Sequence, residues 1–253
     1  MWRGDYFFLI QNLVEKDFKV RYRNMSLGVL WSVLNPLIMM GVMTFIFTKI
    51  FGQGGKGFPL SVLCGLVPFN FFTLAWVTGT TSILDNTGLV KRVPVPRQVF
   101  PIASVLSNGL NLLIQIGLLL AMVVVFGNGV NIYWLWLPLI WGLEFLFVMG
   151  LALAFSAINI YVRDTRYVIE STNMVLFWLV PVFYSFSAIP VRFRGIYQIN
   201  PVAALVLMMR NVLMEGHAPL ASTLVRLAIV SAVMFVTGWW VFGKLKDGFY
   251  ARM

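Results

Sequence analysis

Six stretches of the chain stay apolar for long enough to cross a bilayer, at 29–51, 60–84, 100–126, 132–160, 168–187 and 220–242. A spanning helix takes about 20 predominantly apolar residues. Inside the six, the only charged residues are Lys49, Glu144, Glu170 and Arg226. The stretches at 100–126 and 132–160 exceed the bilayer thickness and are expected to tilt or protrude. Residues 5–22 follow another rhythm. Tyr6, Leu9, Ile10, Leu13, Val14 and Phe18 recur at helical spacing, with acidic and basic residues opposite and Asp5 placed to cap. That predicts an amphipathic helix along the membrane interface, serving as a passive anchor or as a docking strip for a partner. Segment 188–219 is too long and too apolar for a simple loop. Pro190 and Asn200-Pro201 break it, and 202–213 is an apolar run whose one charge is Arg210. A run of that length suits a pair of short re-entrant helices, the alternative being a helix flat on the outer surface.

The expected fold is all-α and integral to the membrane. It is a single transmembrane domain over 1–253, with an interface helix at 1–28 and spans one to five within 29–187. The re-entrant segment follows at 188–219, then the sixth span and a tail at 220–253. Composition agrees: 60% of the 253 residues are hydrophobic and 11% charged, against about 25% charged in soluble domains. A soluble globule and a disordered chain are both excluded. The net charge of +10 fits nucleic acid or an anionic membrane face, and so apolar a chain favours the membrane. Thirteen Lys and Arg residues fall in 1–28, 85–99, 161–167 and 243–253, against six elsewhere. The excess of basic residues puts both termini in the cytoplasm.

Catalytic chemistry is sparse. The single cysteine, Cys64, and the single histidine, His217, exclude a disulfide framework and a Cys- or His-based metal site within one chain. The first 26 residues carry charges without a cleavable apolar core, so no secretory signal is expected. There is no Gly-x-Ser-x-Gly elbow and no His-Glu-x-x-His pair. The glycine-rich loop at 52–57 lacks the Ser or Thr that a phosphate loop needs after Lys56. Asp247-Gly248 with Ala251-Arg252 imitates the start of a lipid-synthase motif whose further aspartates do not follow. Glu144, in the middle of an apolar run, is costly there unless paired or hydrated. It is either a structural hydrogen-bonding group, with Asn108, Asn111 or Gln115 as partners, or part of a transport pathway.

The stretch from Arg21-Tyr22-Arg23 through Trp31, Asn35-Pro36 and Leu37 resembles the approach to the first span in ABC-2 permeases that export lipid-linked polysaccharides. That family includes O-antigen, teichoic-acid and some capsule exporters. Residues 89–101 (LVKRVPVPRQVFP) resemble its first cytoplasmic coupling segment, and 161–167 (YVRDTRY) its second. Asn200-Pro201 and the apolar helix after it resemble its outer re-entrant pair. The resemblance implies half of a transporter in the bacterial inner or plasma membrane, two copies forming the channel above two copies of a separate ATPase. ATP and magnesium would reside on that ATPase, and this chain would hold no cofactor and catalyse nothing.

By the same resemblance, Asp85, Lys91, Arg92, Arg97, Arg163, Asp164 and Arg166 would meet the ATPase. Phe69, Phe71, Phe72, Trp76, Tyr184, Phe186 and Tyr197 would offer aromatic faces to a sliding sugar chain, with Glu144 also on the pathway. Arg3, Arg21 and Arg23 would attract the diphosphate headgroup at the inner leaflet. Two other readings stay open: export of a small amphiphile or drug, and an enzyme acting on lipid-linked sugars through Glu144.

Overall fold

The computed structural model describes residues 5–52, 55, 57–93, 95–127 and 129–252. Among them every regular element is helical. The first helix, α1 (Tyr6–Tyr22), starts as expected on Asp5, whose side chain accepts from the Phe7 and Phe8 amides at 2.8 and 3.4 Å. Five helical runs are long and apolar enough to cross a membrane: Gly28–Ile50, Phe58–Arg92, Val99–Val125, Ile132–Tyr161 and Ala221–Phe249. Their long helices are α2 (Trp31–Phe45), α3 (Phe58–Asp85) with the short α4 (Thr87–Arg92) on its end, α5 (Val99–Val125), α6 (Leu137–Tyr161) and α10 (Ala221–Leu245).

The stretch expected to span at 168–187 behaves differently. Helix α7 (Thr165–Leu179) has 15 residues, about 22 Å of rise against the ~30 Å of a hydrocarbon core. Pro181 has no amide hydrogen and drives the residue before it out of the helical region. Val180 accordingly turns extended, at φ −78° and ψ 137°. The chain then runs irregularly through buried Val182 and Phe183 to a short turn at Phe186–Ala188. Two shorter helices follow, α8 (Val191–Ile199) and α9 (Pro201–Arg210). Asn200 caps α9 by accepting from the Val202 and Ala203 amides at 3.0 and 3.4 Å. Nearly every α9 side chain is buried, packed against α3, α6, α8 and α10.

Two apolar clusters hold the bundle. The larger one joins α3, α5, α6, α9 and the segment after α7. The smaller one gathers Leu13 of α1, Ile83, Val90, Val99 and Ile160 with Phe242 and Phe249 of the C-terminal end. The Leu13 region of α1, α4, the end of α6 and the turn at Lys246–Ala251 therefore lie at one end of the bundle. The tightest seam is α6 on α10. A Cβ on Gly150 would strike the backbone of Met234 and Phe235, and one on Gly238 would strike that of Gly150. Only glycine lets two backbones approach so closely, and such contacts drive helix association where lipid removes the hydrophobic incentive.

Candidate functional site

Three places bring polar chemistry together. The first is a groove of about 380 Å³ between α1, α2, α3 and α5. Arg21 and Tyr22 end α1 at its rim; Trp31, Ser32 and Asn35 come from α2, Asn70 and Thr73 from α3, Asn111 and Gln115 from α5. The Tyr22 hydroxyl donates to Asn111 Oδ1 at 2.8 Å. Asn111 is twelve residues into α5, so the contact lies about 18 Å along that helix. Arg21 Nη1 and Gln115 Oε1 are buried without a hydrogen-bond partner among the described residues. Burial draws the Arg21 guanidinium below its ordinary range, with Tyr22 and Asp17 opposing. Arg23, two residues further on and just past the end of α1, is exposed, and Arg3 lies outside the described residues.

The second place is the basic end. Asp85, Lys91, Arg92, Arg163, Asp164 and Arg166 are all exposed there. Arg166 donates through Nε to Glu170 at 2.8 Å. That bond raises its pKa, and Asp85 contributes to the same shift across the gap between α3 and α7. The two coupling segments expected from the sequence thus come within electrostatic reach of each other. Arg97 differs from its neighbours: it donates to the Lys246 carbonyl and lies 5.4 Å over the Phe249 ring. Its side chain ties α5 to the C-terminal turn instead of facing outward. Lys16 reaches from α1 to Asn86 Oδ1 at 2.6 Å, bracing the α3–α4 junction.

The third place, at the opposite end, is a cavity of about 500 Å³ walled by Phe47, Phe58, Tyr184 and Phe186, with Arg210, Asn211 and Glu215 as its polar side. Arg210 holds it in shape. It is 7% exposed and donates to Val182 O at 2.7 Å, Tyr184 O at 3.0 Å and Ser61 O at 3.2 Å. Irregular backbone at membrane depth needs its polar groups satisfied by protein or water, and this guanidinium satisfies the break that Pro181 creates. The Tyr184 hydroxyl donates to Leu179 O at 2.8 Å and lies 3.4 Å from that of Tyr197.

The ABC-2 type transporter family matches residues 9–214. The chain belongs to that family. Among curated relatives, an O-antigen export system permease protein RfbA of Klebsiella pneumoniae is 30% identical over 97% of this chain and 95% of its own length. A protein of the same name from Myxococcus xanthus is 28% identical over 95% and 94%. The polysialic acid transport protein KpsM of Escherichia coli is 24% identical over 90% of each. This ABC-2 protein is a membrane transport subunit and not an enzyme.

Within this ABC-2 subunit the expected aromatic pathway divides. Tyr184, Phe186 and Tyr197 gather at the far end, as described. Phe69, Phe71, Phe72 and Trp76 are core residues of the chain, 2–7% exposed. They pack on Phe177, Phe145, Phe147 and Phe155 at 5.5, 4.6, 6.1 and 5.3 Å between ring centroids. Their faces are committed to the α3–α6–α7 interior, because α3 runs through the middle of the bundle. Glu144 is fully buried, and both carboxyl oxygens lack a hydrogen-bond partner among the described residues. Asn111 and Gln115, considered above as its partners, line the first groove instead. Asn35, Asn70 and Arg210 gain their places only in the fold; the sequence offers carboxamides on three apolar stretches and a lone charge in the run 202–213 as the signal.

Proposed function

We propose that this chain is the membrane permease of an ATP-driven exporter of a lipid-linked polysaccharide, O-antigen-like or teichoic-acid-like. The observation that carries this reading is similarity over nearly the whole chain to permeases named for O-antigen export, joined to family membership. Two copies would form the channel in the bacterial inner or plasma membrane, with two copies of an ABC ATPase bound below. ATP and magnesium would sit on that ATPase. The basic end faces the cytoplasm, as the thirteen-to-six division of Lys and Arg favours, and both termini lie there.

In this reading α7 and the irregular segment after it together make the fifth crossing, which brings the total to six, and α8–α9 form a re-entrant pair at the outer mouth. The exposed charges of the α4 and α6–α7 segments meet the ATPase. Closure of the ATPase pair on ATP pushes these segments, and the packed helices shift between discrete arrangements. Arg21, with Arg23 nearby, holds the diphosphate at the inner leaflet through charge-assisted hydrogen bonds. Tyr184, Phe186 and Tyr197 offer rings to the sugar chain at the outer mouth.

Deletion of the gene in its own host tests the reading. Lipid-linked polymer is expected to accumulate inside the cell and to reach the surface again when the gene is restored. Surface polymer unchanged by the deletion overturns it, and the composition of the accumulated polymer names the cargo.

A further inference from the structure

The groove beside α1 carries more chemistry than a phosphate uses. Four carboxamides from three helices converge on it: Asn35 of α2, Asn70 of α3, and Asn111 and Gln115 of α5. All four belong to stretches apolar enough to span a membrane, where a polar group without a partner is costly. A phosphate at neutral pH accepts hydrogen bonds and suits the unpartnered Arg21 Nη1. It offers little to the buried, unpartnered Gln115 Oε1, which needs a donor. Tyr22 engages the Asn111 oxygen, so the donor Asn111 still offers is its NH2 group. The complement to an unmet acceptor, several amide donors and a guanidinium is a hydroxyl-rich ring beside an anion. Trp31, 37% exposed at the rim, adds an indole on which the C–H face of such a ring can rest. A volume of about 380 Å³ lies in the range of small-molecule sites, ~300–1,000 Å³.

We propose that Asn35, Asn70, Asn111 and Gln115 form a subsite for the sugar attached directly to the lipid diphosphate. The permease then reads the carrier-proximal sugar as well as the headgroup. This rests on the reading of Arg21 as a diphosphate ligand. The sugar subsite acts before the chain enters the channel, so it selects which polymer is loaded whatever its length.

The test is binding to the full-length protein in lipid nanodiscs. The probes are farnesyl diphosphate and the same lipid diphosphate carrying one glucose, galactose or N-acetylglucosamine. At least one sugar-bearing probe is expected to bind about fivefold or more tightly than farnesyl diphosphate, the effect of one or two added hydrogen bonds. Asn35→Leu and Gln115→Met each bring that ratio towards one, and Arg21→Ala weakens every probe. Asn35 is exposed, so its replacement leaves the core intact even if the Gln115 variant folds poorly.

Equal binding of all probes to the unmodified protein overturns the sugar subsite while sparing the Arg21 reading. A ratio that persists in Asn35→Leu and in folded Gln115→Met also overturns the subsite. Failure of every probe to bind overturns both. UDP-glucose shares the sugar diphosphate but lacks the lipid, and it is expected to compete at least tenfold more weakly than the glucosyl lipid. Equal competition would assign the groove to a soluble nucleotide sugar and overturn the lipid-linked ligand.

Discussion

Two buried side chains with ionisable groups make opposite predictions at the scale of single residues. Arg210 donates to three backbone carbonyls from two parts of the chain. Arg210→Met keeps much of the aliphatic bulk but strips the partners from Val182 O and Tyr184 O, each an unsatisfied buried acceptor worth about 1–3 kcal/mol. A loss on the order of 3 kcal/mol is expected, read as a clear fall in thermal stability in detergent. Stability within experimental error of the unmodified protein would refute the clamp. Glu144 satisfies nothing around it, since both of its oxygens lack partners. Glu144→Met replaces an unpartnered polar group with an apolar one of similar length, a change that is nearly neutral or stabilising. Thermal stability should hold or rise. If export then fails in a stable Glu144→Met protein, the carboxyl belongs to transport and not to packing.

Helix existence was legible at the scale of elements because hydrophobic length reports it directly: all six apolar stretches contain helix, and Asp5 caps where its side chain suggested. What hydropathy did not reveal was where a run stops being helical. The stretch at 168–187 reads as one span, yet Pro181 ends α7 at Leu179 because the residue before a proline is pushed out of the helical region. The proline was visible in the sequence; the guanidinium that makes the break tolerable sits 29 positions later, and only the fold joins them. The aromatic residues of α3 show the same limit. Their composition suits a sugar path as well as a core, and their side-chain directions, set by the central place of α3, decide for the core. The α6–α10 seam gives the element-scale prediction. Gly150→Val puts a branched side chain where even a Cβ meets the backbone of α10. Overpacking of this kind costs about 1–3 kcal/mol, and more where backbone must move. The yield of folded protein should drop sharply, while Gly142→Ala, on the same helix with open space around it, should leave the yield unchanged. Equal yields from the two variants would count against the seam.

For the molecule as a whole, the question is whether its charge asymmetry is only a topology signal or also a docking surface. The two roles separate by residue, because the basic end contains both outward-facing charges and an internal tie. Lys91, Arg92, Arg163 and Arg166 are exposed, whereas Arg97 is engaged with the C-terminal turn through Lys246 and Phe249. If an ATPase presses on this end, reversing Lys91 and Arg92 to Glu removes two attractions and adds two repulsions at the interface. Exposed pairs contribute about 0.2–1 kcal/mol each, so the double reversal should weaken co-purification of the ATPase roughly tenfold, with the deficit narrowing at high salt as screening removes it. Replacing Arg163 and Asp164 together tests the other segment and should let ATP hydrolysis continue while export falls. Arg97→Ala should behave differently from both: loosening of the C-terminal turn, seen as faster amide exchange at 246–251, with ATPase recovery largely preserved. A topology signal alone would leave ATPase recovery unchanged in the Lys91 and Arg92 reversal, and unchanged export after replacement of Arg163 and Asp164 would remove the second segment from the coupling surface. The contrast between Arg97 and its neighbours is therefore the decisive comparison: all three carry the same charge within seven residues of chain, and only their placement in the fold assigns them different work.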